Sequence, residues 1–426
     1  MKVLIITYYW PPAGGSGVQR WLKFVKYLQD FEIEPIIYTV DNPNYAIVDK
    51  SLENDIPENI TVLRKSIWEP NSIFSFFKKG NAKTSAGFLN PNPSFFGKIL
   101  QYIRANYFIP DARKFWIKPS VKFLEEYLSK NPVDVIITTG PPHSLHLIGL
   151  QLKKKLGLKW ISDFRDPWTE IDYFHQLPLT KKAIIKHQEL EKKVIKTSDA
   201  VIVVGKTMKE NFNHFSNKIK VITNGFDSGV NSFKEEISLD KKFSITHIGL
   251  MNSDRNPRIL WEVLLELIQE NAEFKNDIEI KLIGKIADNV ENSLVKLPKK
   301  WINKIGYVSH QKVKKYQQES QVLLLAVNKV PSAKAIITGK IFEYLQAKRP
   351  ILAIGPEDGD LAEILSETNS GVIVDFEDKK RLKREVLKLY LEFKNGDLKV
   401  NSKNIEQYHR KELTKILSKV IKDLKK

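Results

Sequence analysis

Three short stretches hold residues whose types and spacing could do chemistry. The first is Pro11-Pro12-Ala13-Gly14-Gly15-Ser16-Gly17, between an apolar run and a helical pattern. Glycines there let backbone N–H groups approach a ligand, and the start of a helix favours an anion. Arg20 stands where a dinucleotide fingerprint wants a third glycine, and the Gly-Lys-Ser/Thr of a phosphate-loop NTPase is missing. The second stretch is Trp160-Ile161-Ser162-Asp163-Phe164-Arg165-Asp166-Pro167-Trp168, at the carboxyl end of a strand pattern. A carboxylate beside an arginine can be held ionised, or can aim the arginine at an anion. The competing reading is a buried Arg–Asp pair that stabilises the loop. The third is Thr338-Gly339-Lys340-Ile341-Phe342-Glu343-Tyr344-Leu345, which opens a helix after Val330-Pro331-Ser332. Backbone N–H groups at Thr338–Lys340 plus the Lys340 charge suit a diphosphate, and Glu343 could accept hydrogen bonds from ribose hydroxyls. Arg255 supplies a second cation near a strand end of the same half.

These stretches need a scaffold that brings strand ends together. Apolar runs at Lys2–Thr7, Glu34–Val40, Asp134–Thr139, Lys159–Asp163 and Ala200–Val204 alternate with longer amphipathic patterns, the first helix being Val18–Gln29. That alternation predicts a doubly wound parallel sheet of the Rossmann kind. Ser228–Lys242 reads as a linker. The alternation restarts at Ser244–Ile248, Ile278–Ile283, Val322–Ala326, Pro350–Ile354 and Gly371–Val374. A length of 426 residues exceeds what one core usually supports, so two domains are expected.

Composition excludes some classes. The chain has no cysteine, which removes thiolate nucleophiles, iron–sulfur clusters and Cys-based zinc sites. No apolar run reaches the ~18–20 residues that span a bilayer, and the first residues lack the apolar region of a signal peptide. Asp358-Gly359-Asp360 reads as a capping turn rather than a metal motif, and the spacing of His143 and His146 matches no zinc site, so no metal is expected. The formal charge of +18 leaves nucleic acid, an anionic membrane, an anionic substrate or a merely Lys-rich surface open. Lysines spread over nearly every helix, and no nucleic-acid module is legible, so nucleic acid ranks last. The segment Ile67–Trp116 interleaves aromatic and basic residues, and either inserts at a membrane interface, lines an acceptor groove or packs on its domain. The end of the chain is a basic amphipathic helix, with Leu413, Ile416, Leu417, Val420, Ile421 and Leu424 on one face.

The order and spacing of four pieces resemble glycosyltransferase family 4, retaining enzymes of the GT-B fold. The pieces are Pro11–Gly17, Val221-Ile222-Thr223-Asn224-Gly225-Phe226-Asp227, His247-Ile248-Gly249, and Gly339-Lys340-Ile341-Phe342-Glu343-Tyr344-Leu345. Ile109-Pro110-Asp111-Ala112-Arg113 with Trp116, and Asp163–Trp168, look like a subgroup from bacterial surface-polysaccharide gene clusters. The resemblance implies two Rossmann-like domains facing a central cleft. Residues 1–228 would be the acceptor domain and 240–400 the nucleotide-sugar domain, with 401–426 returning to the first. It implies that Gly14, Gly15, Gly17, Gly249, Thr338 and Gly339 line the donor diphosphate. Arg255 and Lys340 would neutralise the leaving group, Glu343 would bind ribose, and Val308 and Ser309 would edge the nucleobase. Asp163, Arg165 and Asp166 are then candidate catalytic groups, with Arg113 and His143 on the acceptor side. The chain departs from the family at Ala335, Leu250 and Arg165, where a Glu, an Arg and a His are frequent. The implied reaction takes a sugar from a nucleotide sugar, UDP before GDP, to a glycan or lipid-linked acceptor, with no cofactor. A GT-B epimerase or phosphorylase is the runner-up. The implied location is cytoplasmic, with peripheral contact at the inner membrane face left open.

Overall fold

The computed structural model describes residues 1–69, 94–171, 174–227 and 237–425. The expected linker at Ser228–Lys242 therefore falls mostly outside the described residues, as do Phe74, Phe76, Phe77 and Phe88 of the aromatic segment. The chain forms two compact units, Met1–Asn224 with Arg410–Lys426, and Gly225–His409.

The first unit is built on a seven-stranded parallel sheet: β1 Lys2–Ile6, β2 Glu34–Val40, β3 Thr61–Lys65, β4 Val135–Gly140, β5 Lys159–Phe164, β6 Ala200–Val203 and β7 Ile219–Val221. Its strand order is β3-β2-β1-β4-β5-β6-β7. The helices are α1 Ser16–Leu28, α2 Phe95–Tyr107, α3 Ile117–Lys130, α4 Ser144–Leu156, α5 Lys181–Thr197 and α6 Lys206–Asn213. The central strands are apolar on both faces, as strands covered by helices on both sides must be. The terminal helix Arg410–Asp423 buries Leu413, Leu417 and Ile421 against α1, in one core with Trp21 and Leu28. Its apolar residues thus find a partner within this unit.

The second unit repeats the plan with six strands: β8 Phe243–Ile248, β9 Ile278–Ile283, β10 Ile302–Ile305, β11 Val322–Ala326, β12 Ile351–Ile354 and β13 Gly371–Val374. The order is β10-β9-β8-β11-β12-β13, again all parallel. Its helices are α7 Arg258–Glu270, α8 Ala272–Asp277, α9 Asp288–Leu294, α10 His310–Glu319, α11 Lys340–Ala347, α12 Asp360–Thr368 and α13 Lys379–Lys394. Past α13 this unit continues to His409, where Tyr408 packs against Phe342.

Every strand expected from an apolar run is present. Three others, β3, β7 and β10, are edge strands that the apolar runs miss. Residues of β3 and β10 are half-exposed or exposed, and β7 is three residues long. An edge strand has only one neighbour and carries polar residues, so it does not read as a continuous apolar run.

In both sheets the order reverses beside the first strand, between β1 and β4 and between β8 and β11. In open parallel sheets, ligands bind outside the carboxyl ends of strands at such a switch point.

Candidate functional site

At the switch point of the second unit, β8 ends on Ile248 and runs into Gly249, whose φ is +109°. A Cβ on Gly249 would lie 2.8 Å from Lys340 Cε and 2.9 Å from its Nζ. Only a glycine lets the lysine lie across this backbone, and the left-handed φ points the same way. Gly284, after β9, backs onto it: a Cβ there would meet the Gly249 carbonyl at 2.7 Å. Lys340 is the first residue of α11, which follows β11, so the topology brings it to the end of β8.

Lys340 Nζ lies 3.4 Å from His247 Nε2, and His247 Nδ1 is 3.4 Å from the Leu324 carbonyl. These contacts fit a neutral imidazole that donates from Nδ1 and accepts from the ammonium. Burial, with the charges of Lys340 and Arg255, holds the His247 pKa well below its ordinary value. Burial likewise pulls Lys340 down to about 7, Arg255 adds to the effect, and Glu343 opposes it. Arg255 is fixed by Nε donating to Asn328 Oδ1 at 3.0 Å and Nη1 donating to the Leu250 carbonyl at 3.2 Å. Glu343, in the first turn of α11, accepts from Gln317 Nε2 at 3.0 Å. Thr338 Oγ1 is buried with no hydrogen-bond partner, one residue before the Gly339 cap. A Cβ on Gly339 would meet nothing within 4 Å, so the start of α11 opens onto free space.

Two mutually repelling cations, a helix N-terminus and an orphaned hydroxyl therefore gather where strands end. A buried cation without a full countercharge costs free energy that an incoming anion can recover. The chemistry that fits is an anion with several oxygens, such as a diphosphate.

The switch point of the first unit is built differently. Gly15, with φ +84°, caps α1, and Gly14 N donates to the Ile47 carbonyl at 2.9 Å. Arg165 donates from Nη1 to the Gly17 carbonyl at 2.7 Å, from Nε to the Gly140 carbonyl, and from Nη2 to the Pro141 carbonyl. It braces the loop after β1 against the loop after β4. Asp163 is fully buried, and its carboxylate accepts from Arg20 Nε and Nη2, Trp21 Nε1 and Thr139 Oγ1. Burial opposes its charge, but Arg20 and these hydrogen bonds prevail and hold the carboxyl below its usual range. Arg20 also donates to the Ile222 and Thr223 carbonyls, which fixes the end of the unit. The sequence reading puts Asp163 and Arg165 among the reacting groups. The hydrogen bonds instead give both a structural task, because their polar positions are filled from within the fold.

Two imidazoles lie beside Gly140. His143 Nδ1 and His146 Nε2 are buried without hydrogen-bond partners and lie 2.9 and 2.6 Å from where a Cβ on Gly140 would sit. His143 stacks on Trp168, with ring centroids 4.8 Å apart. Burial pulls His146 down to about 3 and His143 also well below its ordinary value, so both are neutral at physiological pH. Arg113 Nε lies 2.7 Å from Glu69 Oε1, with the guanidinium over the Tyr8 ring. Asp166 is exposed beside Arg165.

Residues 87–229 match the family model described as Glycosyltransferase Family 4. On that segment the chain is similar to glycosyltransferase family 4. No curated protein matches it. Solved structures with a similar course of the chain include the sucrose-phosphate synthase of Thermosynechococcus elongatus, at TM-score 0.65 and 12% identity, with 100% of this chain and 99% of that one covered. HepE of Anabaena in complex with UDP-glucose aligns at TM-score 0.60 and 11% identity, covering 99% and 100%. A putative UDP-N-acetylglucosamine 2-epimerase of Listeria monocytogenes aligns at TM-score 0.57 and 12% identity, covering 99% and 96%. At such identities the likeness shows the fold, which is GT-B: two Rossmann-like units with parallel sheets of seven and six strands.

The structure brings Gly249, Arg255, Thr338, Gly339, Lys340 and Glu343 to one strand-end crevice of the second unit. Val308 and Ser309 lie on the loop that starts α10, and α10 reaches the crevice through Gln317. Gly14, Gly15, Gly17, Arg113, His143, Asp163, Arg165 and Asp166 all belong to the first unit. Gly284, Gln317 and Asn328 also hold the second-unit crevice together and were not singled out from the sequence, while His247 was read there only as part of a motif and given no role. The apolar run around His247 is itself a signal, since a histidine inside a buried strand needs a partner. Among the described residues, no group of three His, Asp or Glu is placed to hold a metal ion.

Proposed function

We propose that the protein transfers a sugar from a nucleoside diphosphate sugar, with UDP as the nucleotide, to a glycan or lipid-linked acceptor. The observation that carries this reading is Lys340, a half-buried cation pulled down to about 7 at the start of α11, beside Arg255 and a neutral His247. As the bond between the anomeric carbon and the diphosphate breaks, negative charge builds on the leaving oxygens. Fixed cations and helix N–H groups stabilise that charge without reorganising. Lys340 and Arg255 hold the diphosphate in this account, Thr338 Oγ1 hydrogen-bonds a phosphate oxygen, and Glu343 receives ribose hydroxyls. Transfer with retention of configuration is part of the proposal, drawn from the family, as is acceptor binding by the first unit. The UDP-glucose held by HepE supports UDP as the donor nucleotide.

The test is thermal stabilisation by UDP, GDP, ADP and TDP, repeated on Glu343→Ala and Arg255→Ala. A ligand that binds only the folded protein raises its melting temperature. UDP should do so in the native chain and much less in either variant. No shift with any nucleotide would remove the donor-site reading. The likeness to a putative epimerase gives a second reading a specific footing. It requires UDP release from a UDP-sugar with no acceptor present, whereas a transferase needs one.

A further inference from the structure

His247 is an ionisable residue inside β8, a strand whose six residues are all buried. Burying an imidazole costs free energy unless its ring nitrogens find partners. Both find one here. Nδ1 lies 3.4 Å from the Leu324 carbonyl of β11, and Nε2 lies 3.4 Å from Lys340 Nζ. A carbonyl only accepts, so it places the ring proton on Nδ1 and leaves Nε2 as an acceptor. The carbonyl is itself held by the sheet and by Tyr344, whose hydroxyl donates to it at 3.5 Å and accepts from Ile248 N at 3.3 Å. A rigid chain of contacts thus runs from β11 through the imidazole to the ammonium.

Lysine is a flexible stem with three donors at its tip, and it does not hold one direction unaided. Gly249 gives the stem its track, and His247 gives the tip its anchor. The charged groups that bear on Lys340 are Arg255, from the loop after β8, and Glu343, on its own helix; Lys340 and Arg255 are those that bear on His247. A carboxylate at the place of His247 would also anchor the ammonium, but it would pair with the charge, as Asp163 does with Arg20. A neutral imidazole anchors it and leaves the charge for an anion.

We infer that His247 is a positioning residue: its imidazole accepts one N–H of Lys340 and holds the other two toward the diphosphate of a nucleoside diphosphate sugar. The inference rests on the donor-site proposal and adds to it a residue that touches no substrate.

The experiment compares the full chain with three variants. In His247→Gln the amide oxygen can reach the place of Nε2. His247→Phe keeps a ring in the strand and accepts nothing. His247→Asn can keep the bond to Leu324 but stops short of Lys340, and stands in should the phenylalanine variant not fold. The first measurement needs no ligand: acetylation of Lys340 by acetic anhydride, followed by peptide mass spectrometry across pH. The titration midpoint of Lys340 should fall in the phenylalanine and asparagine variants and return in the glutamine variant, because the acceptor favours the ammonium over the amine. The second is calorimetric titration with UDP below pH 7. Binding should weaken about 10-fold in the phenylalanine and asparagine variants, the scale of one charge-assisted hydrogen bond, and recover in the glutamine variant. Unchanged midpoint and affinity in folded His247→Phe or His247→Asn would overturn the inference. So would equal losses in all three variants that follow their melting temperatures, since a histidine that only supports the strand gives that result. No UDP binding by the native chain, with the midpoint still lowered in His247→Phe, would remove the donor-site proposal and uphold the pairing of His247 with Lys340.

Discussion

The two switch points share a topology and differ in what their cations do. In the first unit, Arg165 spends its guanidinium on the carbonyls of Gly17, Gly140 and Pro141, and Arg20 on Asp163 and the carbonyls of Ile222 and Thr223. In the second unit, Lys340 faces a neutral imidazole and another cation, near an orphaned hydroxyl. A buried cation whose donors are matched by carbonyls and a carboxylate rigidifies a loop. A buried cation left under-compensated is poised for an anion from outside. The same fold thus carries a brace at one sheet and, in the proposed function, a receptor at the other.

The comparison can be broken from either side. The largest effect should come from Lys340→Met. Loss of the cation should cut sugar-nucleotide turnover by ~10²–10³-fold, the scale of one removed electrostatic stabiliser. The ligand-free protein should meanwhile gain stability. The folded-state pKa of Lys340 lies near 7, below the ordinary lysine value of 10.5. Below pH 7 the charge is partly desolvated in the folded chain and fully solvated in the unfolded one, so the penalty relieved by methionine is complete. It fades as pH rises from about 7 to 10.5, because the folded chain has already lost the proton. Melting curves of both proteins across that range check the sign.

Asp163→Asn tests the brace. It should destabilise the protein by about 3–5 kcal/mol, the scale of breaking a buried ion pair by removing one partner. Urea denaturation reads this directly, and nucleotide affinity of the folded fraction should be unchanged. A native-like midpoint with lost turnover would return Asp163 to the reacting groups.

Proton linkage gives a finer test. If a diphosphate sugar raises the Lys340 pKa on binding, calorimetry in buffers of different ionisation enthalpy should show uptake of close to one proton at pH 8. Near pH 6, where the free lysine is already charged, uptake should be close to zero. The smallest effect belongs to Thr338→Val. It should weaken nucleotide binding by a few-fold, one neutral hydrogen bond, and leave the melting temperature unchanged or higher, since the hydroxyl is unpaired in the fold. A clear loss of stability would mean that Thr338 serves the fold instead.

Much of the fold was legible because central parallel strands are buried on both faces and read as apolar runs. The edge strands β3, β7 and β10 were not, since half-exposed positions and short length erase that pattern. At the site, Lys340 and Glu343 were legible from a helix start with a glycine before it. Arg20 was noticed as a missing glycine, but its partner could not be named, because Asp163 stands 143 residues away. Within Asp163–Trp168, the hydrogen bonds pair Asp163 with Arg20 from outside the stretch and send Arg165 to backbone carbonyls, which its sequence could not show.

The sequence by itself determined two alternating α/β units, glycine turns at their first strands, and cations near strand ends. Those are local properties, set by burial pattern and by backbone that only glycine tolerates. The tertiary structure decided which cation is neutralised. Charge compensation depends on groups far apart in the chain, and strand order alone brings Arg20 to Asp163 and leaves Lys340 beside His247.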